Sequence, residues 1–345
     1  MRHTWIDYAK LFSICLVISY HTPPRIGGYV GDVVQLLRMP AFFLIAGYLF
    51  KDGKFKGLTD FLRHRSRQLL VPYTSFFVLF YILWLSIGRQ LVGGEELSIP
   101  LIQPFYEFLW GSPTVVVATY WFISCLFTMQ IIWYILIRMF SRKILFGLIL
   151  ALPYTNCIFD LSGWPWQLQA ALNYLPFYAL ANLMKERITT LHAKDWPWAI
   201  IALTGSLVCA YTKGLTDNPW LGTTFYIWGG LLILPAYILL CKAIAHLHPA
   251  DKAAEFIGKN TIIILALQNY MIGFIVILAN KAGYGIESEG NALTNIIITC
   301  GVLTLSAIPI QWINRYIPFI IGRSKGPSDG RRSKVEGQRP LADGQ

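Results

Sequence analysis

Apolar stretches of roughly twenty residues recur along the whole chain, and no other feature narrows its fold so far. A helix of that length matches the hydrocarbon thickness of a bilayer. Ten such stretches are found, near 5–21, 33–50, 69–90, 120–138, 143–159, 168–184, 197–212, 222–241, 261–280 and 293–317. In lipid every backbone polar group must be satisfied within the segment, so stretches of this kind span as helices. Only 14% of the 345 residues are charged, 55% are hydrophobic and the mean hydropathy is +0.50. Soluble domains carry about 25% charge, so repeated soluble domains are excluded. The expected fold is all-α: a polytopic integral membrane protein of about ten transmembrane helices. The membrane domain is expected over 1–320. A disordered cytoplasmic tail follows over 321–345, where G-R-S-K-G-P-S-D-G-R-R-S-K-V-E-G is too polar to bury a core.

The distribution of Lys and Arg predicts the orientation. With the N-terminus in the cytoplasm, the inner side holds Arg2 and Lys10, six cations in 51–68, and Arg138, Arg142 and Lys143. It also holds Lys185, Arg187 and Lys194, then Lys242, Lys252 and Lys259, and seven cations from Arg315 onward. Only Arg25, Arg38, Arg89, Lys213 and Lys281 fall outside, so 24 of 29 cations are inward and both termini are expected in the cytoplasm. The net charge of +11 follows from this topology, and no basic soluble module speaks for a nucleic-acid partner. The first apolar segment is interrupted by Asp7 and Lys10, lacks a small-x-small cleavage site and ends in Y-H-T-P-P, so it is expected to be retained. The six cysteines fall in or beside apolar segments without metal-ligand spacing, and no metal is expected.

Ionisable residues inside spans are costly and usually mark a site. In the first span, Asp7, Lys10 and His21 fall on one helical stripe, because eleven steps of 100° from Lys10 to His21 come within about 20° of whole turns. The orientation puts His21 at the outer face, and Arg38 lies about a turn and a half into the second span from that same face. An imidazole can take a proton from a hydroxyl, and a guanidinium can stabilise developing negative charge. Acyl transfer to an alcohol needs both. An interfacial His21 and a snorkelling Arg38 form the bland alternative. Arg63, Arg65 and Arg67, in F-L-R-H-R-S-R-Q-L-L-V-P-Y, suit the phosphates of a nucleotide-like donor such as coenzyme A, although the positive-inside rule alone would place cations there.

The ordered set W-I-D-Y-A-K-x10-H, R-M-P-A-F-F-L-I-A-G-Y-L-F and R-x-R-Q-L-L-V-P-Y resembles acyltransferase family 3, bacterial inner-membrane O-acyltransferases that modify surface glycans. The I-D-x-A-K opening is most similar to the fucose 4-O-acetylase-like branch. The resemblance maps the first-span basic residue and proposed catalytic histidine to Lys10 and His21. The second-span motif maps to Arg38, Phe42, Phe43, Ala46 and Gly47, and the third-span entry to Arg65, Gln68, Leu69, Leu70, Pro72 and Tyr73. Trp121 and Phe122 match the fourth-span Trp-Phe, and Gly258–Thr261 opens the ninth span as in the family.

The resemblance implies acyl-CoA, with acetyl-CoA foremost, as cytoplasmic co-substrate with no bound cofactor. A hydroxyl of a cell-surface or lipid-linked glycan is the implied acceptor, and a multi-pass place in the bacterial inner membrane is implied too. It casts His21 as general base or acyl carrier and Arg38 as polarising the acyl group. Asp7 and Lys10 become an organising ion pair, and Arg63, Arg65, Arg67 and Tyr73 become donor contacts. Phe42, Phe43, Trp121 and Gln268 are supporting positions.

Four positions depart from the family pattern: Lys10 for Arg, Ala46 for Ser, Gln68 for the second Arg of the inner pair, and Gln268 where related chains often carry His. An amide can hydrogen-bond but cannot shuttle a proton. The rival reading is a transporter or exporter of a glycan or lipid-linked substrate, which would use His21 as a proton relay. A second half repeating the charged pattern is not evident. Elsewhere, Trp164 and Trp166 offer rings on which a sugar could stack. Glu95, Glu96 and Glu107 read as solvated carboxylates of the longest outer loop, and His246 and His248 as inner-face loop residues.

Overall fold

The computed structural model describes residues 4–89, 95–286 and 290–323, which form helices and short turns with no strand among them. The expected tail beyond Arg323 and the end of the third predicted span at Gln90 lie outside the described residues, as do the side chains of Glu95 and Glu96. The bundle begins with α1 (Thr4–His21) and α2 (Gly28–Leu49). Next, α3 (Leu58–Arg65) passes through a wide turn, Ser66–Leu70, into α4 (Val71–Leu83). A short α5 (Gln103–Trp110) precedes α6 (Trp121–Met139) and α7 (Arg142–Ala151). Then come α8 (Leu168–Leu183), α9 (Lys185–Thr190), α10 (Trp196–Gly214) and α11 (Pro219–Leu247). The chain closes with α12 (Asp251–Lys259), α13 (Thr261–Lys281) and α14 (Ala292–Tyr316).

The predicted spans fall on helix over most of their described length, and among the described residues six helices are long and apolar enough to cross a membrane: Gly28–Leu49, Leu58–Gly88, Ala118–Met139, Pro219–Leu247, Thr261–Lys281 and Ala292–Tyr316. The helices α1, α7, α8 and α10 fall short in length or hydropathy. The fifth predicted span is not one continuous helix. It breaks after α7 into a turn, Leu152–Tyr154, and a short helix, Thr155–Ile158. Pro153 sits at the break, where it has no N–H to continue the ladder.

Helix α1 packs against α2, α11, α12, α13 and α14. Small residues make this close packing possible, since Ala9 and Ser13 are fully buried and Tyr237 of α11 reaches both. The Tyr237 hydroxyl donates to the Ala9 carbonyl at 2.5 Å and lies 2.8 Å from Ser13 Oγ. At the start of α1 the Tyr8 hydroxyl donates to Asp251 Oδ1 at 2.9 Å, tying it to α12. Gly258 of α12 makes a close approach to α1: a Cβ would stand 3.0 Å from Asp7 Oδ1 and 3.5 Å from Lys10 Cδ, so a larger residue would require Asp7 to shift.

A second close crossing joins α2 to α8, where a Cβ on Gly47 would collide with the Tyr178 carbonyl. The Asn182 Nδ2 donates to the carbonyls of Gly47 and Phe50 at 3.1 and 3.0 Å, which satisfies the end of α2. Asn182 Oδ1 accepts from Trp133 Nε1 of α6 at 3.1 Å, so three helices are pinned by one carboxamide.

Glu107 is not the solvated carboxylate the sequence suggested. It accepts the backbone N–H groups of Thr114 and Val115 at 2.7 and 3.0 Å and Gln103 Nε2 at 3.1 Å. Partial burial pushes its pKa up, but those hydrogen bonds outweigh burial and hold it below the usual carboxylate range. Tyr73 is buried and stacks on Phe108, and its hydroxyl donates to the Phe108 carbonyl at 2.9 Å, so it anchors α5. Eight residues of helix carry it about 12 Å along the axis from Arg65.

Candidate active site

His21 is the last residue of α1, and α2 begins only seven residues later, so the two helices descend from the same end of the bundle. That hairpin brings His21 and Arg38 into one cavity of about 200 Å³. Val17, Tyr20, Met39 and Phe42 line it from these two helices, Thr119 from the turn before α6, Trp121 and Phe122 from the start of α6, and Leu265 from α13. The guanidinium carbon of Arg38 lies 3.5 Å from the centroid of the Tyr20 ring, and the Tyr20 ring meets the His21 ring edge-on at 5.2 Å. A desolvated cation over an aromatic face gains up to about 2 kcal/mol. The contact fixes the plane of the guanidinium while leaving its N–H groups free to serve a ligand. Arg38 Nε is buried and has no hydrogen-bond partner.

The floor of the cavity is aromatic. Phe122 packs on Phe42 and Phe43 with ring centroids 5.5 and 5.1 Å apart, and Phe43 stacks on Tyr174 of α8 at 4.7 Å. Phe43 is fully buried below the cavity and supports its wall. Thr119 donates its hydroxyl to the Leu265 carbonyl at 2.5 Å, joining the α6 and α13 walls.

The end of α1 is held from a distant part of the chain. Asn295 of α14, 1% exposed, donates through Nδ2 to the carbonyls of Ser19, Thr22 and Pro24 at 2.9, 2.9 and 3.1 Å. Its Oδ1 accepts from Ser19 Oγ at 2.6 Å. The turn that carries His21 is thereby fixed on both sides of the imidazole. Sequence reasoning missed Asn295, Tyr20 and Thr119. Tyr20 adjoins His21 and Thr119 precedes the Trp-Phe pair, whereas nothing in the sequence around Asn295 signals its role.

Gln268 stands one helical turn beyond Leu265 on α13. It is fully buried, and neither its Nε2 nor its Oε1 has a partner.

The other predicted positions disperse. Asp7 and Lys10 do not line the cavity. They lie about 16–21 Å down α1 from His21, against Gly258, because the shared stripe runs along the helix axis. The three inner arginines also separate. Arg63 and Arg67 are exposed and four residues apart, hence on one face, while Arg65 turns the opposite way and is half buried. Its guanidinium carbon lies 5.4, 5.5 and 5.9 Å from the ring centroids of Phe50, Phe55 and Phe61. Arg65 Nη1 donates to Gln68 Oε1 at 2.9 Å, so Gln68, where the family carries a second arginine, serves here as an acceptor that orients the first. Trp166 is half buried near Phe127 and Tyr73, while Trp164 is 52% exposed.

An acyltransferase-domain family model matches residues 3–311. The chain belongs to acyltransferase family 3. It is accordingly a membrane O-acyltransferase, and the exporter reading gives way to an enzymatic one. No curated protein and no solved structure matches this acyltransferase.

Proposed function

We propose that this acyltransferase moves an acetyl or other small acyl group from cytoplasmic acyl-CoA to a hydroxyl of a cell-surface or lipid-linked glycan, from a place in the bacterial inner membrane. The observation that carries the reading is the single cavity in which His21 faces Arg38, with Arg38 Nε buried and unpartnered. A buried donor without a partner costs about 1–3 kcal/mol, a cost that a substrate oxygen would remove. His21 takes the proton of the acceptor hydroxyl, and the oxygen attacks the thioester carbonyl. The carbonyl oxygen, turning anionic, accepts from Arg38. The C–S bond then breaks, and the thiolate leaves with the proton returned by His21. Atoms balance without a further reactant.

In this reading the donor's phosphates lie near Arg65, on the cytoplasmic side, and the acyl group reaches His21 through the bundle. Buried polar atoms near Arg65 support such a route. Arg65 Nε, Gln130 Oε1 and the Tyr134 hydroxyl all lack partners. Tyr174, which abuts the cavity floor, sits one turn before Tyr178 on α8. Amides of a pantetheine arm would supply the missing hydrogen bonds. The I-D-x-A-K opening supports a fucose-type branch, and the Lys and Arg distribution supports cytoplasmic termini.

The test is label transfer in membranes given radiolabelled acetyl-CoA, followed into lipid-linked and surface glycan. His21→Ala is expected to abolish transfer while inserting at the wild-type level. Full transfer by that variant, or label that never leaves the donor in the wild type, sinks the reading.

A further inference from the structure

Away from the catalytic cavity, a groove of about 620 Å³ opens between α8, α9 and α11. Its floor is Leu44 of α2, and its walls include Phe177 and Leu180 of α8 and Leu234 and Ile238 of α11. Pro235, inside α11, also lines it. The walls along α8 and α11 are apolar. Polarity enters at one end, where Arg187, Lys194 and Asp195 form the rim.

That rim is built. Lys242 Nζ donates to three carbonyls, those of Ile188, Thr189 and Leu191, at 2.7, 3.0 and 2.8 Å, which holds the end of α9 and the residue after it in place. Asp195 Oδ2 accepts the backbone N–H of His192 at 2.8 Å and caps the turn before α10. Lys242 and Asp195 are therefore occupied with the backbone of the rim. Arg187 and Lys194 differ, since neither side chain has a hydrogen-bond or carboxylate partner among the described residues. Two unpaired cations thus stand at the mouth of an apolar slot of ligand size.

The geometry points to a site for one anionic glycerophospholipid of the leaflet that meets α9. Its phosphate lies between Arg187 and Lys194, and one acyl chain lies along Phe177, Leu180, Leu234 and Ile238. Basic pockets between membrane helices recognise anionic headgroups by this combination of charge and apolar wall. The site does not depend on the acyl-transfer reading, and none of its residues lines the His21 cavity.

The experiment uses the full chain in detergent micelles, with bound lipid counted by native mass spectrometry. Phosphatidylglycerol, phosphatidylethanolamine and coenzyme A are offered separately. The wild type is expected to retain phosphatidylglycerol in preference to phosphatidylethanolamine. Arg187→Gln and Lys194→Gln should each weaken that retention about fivefold, since one cation near an anionic surface contributes about 1 kcal/mol. Leu180→Trp fills the groove and leaves both cations, and it should remove the bound lipid. Equal retention of the two lipids overturns the anionic class, and undiminished binding in Leu180→Trp overturns the groove. Coenzyme A displacing the lipid, with the same loss in the cation variants, overturns the lipid and gives the groove to a nucleotide. Lys194 is exposed, so Lys194→Gln carries the test on its own if Leu180→Trp does not fold.

Discussion

Asn295 and Ser19 exchange two hydrogen bonds, Ser19 Oγ to Asn295 Oδ1 at 2.6 Å and Asn295 Nδ2 to the Ser19 carbonyl at 2.9 Å, across a separation of 276 residues. The same Nδ2 reaches the carbonyls of Thr22 and Pro24, so α14 brackets the turn that presents His21. Asn295→Leu keeps the volume and removes every one of these bonds. The orphaned carbonyls cost about 1–3 kcal/mol each, and a shift of about 1 Å in a catalytic group can cost a hundredfold in rate. The expected result is a fall in kcat of about tenfold to a hundredfold with KM for the donor little changed. Asn295→Asp, which keeps the acceptor for Ser19 alone, should fall between Leu and wild type. Steady-state label transfer at matched protein levels decides it, and wild-type kcat in Asn295→Leu would remove Asn295 as a positioning residue.

Arg38 is held by a ring face and offers a buried N–H, so its shape matters as much as its charge. Arg38→Lys keeps the cation but loses the planar contact with Tyr20 and the Nε donor. Acyl transfer is expected to fall about a hundredfold or more, the usual cost of losing one donor to a developing oxyanion. Tyr20→Leu should produce a smaller loss, because it frees the guanidinium without removing it. Comparison of kcat for the two variants tests the order.

Gln268 carries two buried, unpartnered polar atoms next to the cavity wall. Gln268→Leu removes both at similar volume, which should raise the melting temperature in detergent, because an unmade buried hydrogen bond costs about 1–3 kcal/mol. If the carboxamide serves a bound substrate, activity falls in the same variant. A variant both less stable and fully active would show that Gln268 is already satisfied within the protein.

Glu107 ties α5 to the segment 112–115 through its ionised form. Its folded pKa lies below the ordinary value of 4.5, so its contribution is complete above that value and lost as pH falls through the folded value. Hydrogen exchange of 112–115, corrected for intrinsic rates, should therefore quicken on acidification in the wild type. In Glu107→Gln exchange should be fast at both ends of the range. Protection unchanged by acid in the wild type would mean that the carboxylate does not hold this turn.

Much of the architecture was legible because bilayer physics allows few solutions. Segment length located the helices, and the predicted ranges fall on them over most of their described length. Proline chemistry explains the broken fifth segment. Gly47 and Gly258 were visible in the sequence as parts of motifs, but their reason is steric and tertiary, since each faces another backbone or a charged side chain at contact distance. The site was legible where it is local. His21 and Arg38 flank one short connection, and that hairpin allows few arrangements besides a shared cavity. Arg63, Arg65 and Arg67 looked like a cluster in a linear string, yet a helical turn of 100° per residue sets the middle one against the other two.

What the sequence determined by itself was the solvent: a chain this apolar folds as helices in lipid, with most of its cations in the loops on one side. The tertiary structure decided which of those groups meet. Helical periodicity puts Asp7, Lys10 and His21 on one stripe, but only the packing of α12 and α14 assigns its two ends to different partners. Asp7 and Lys10 lie against Gly258, and the turn at His21 hangs on Asn295. Contacts between helices hundreds of residues apart depend on which faces pack, and that is a property of the whole bundle and not of any one segment.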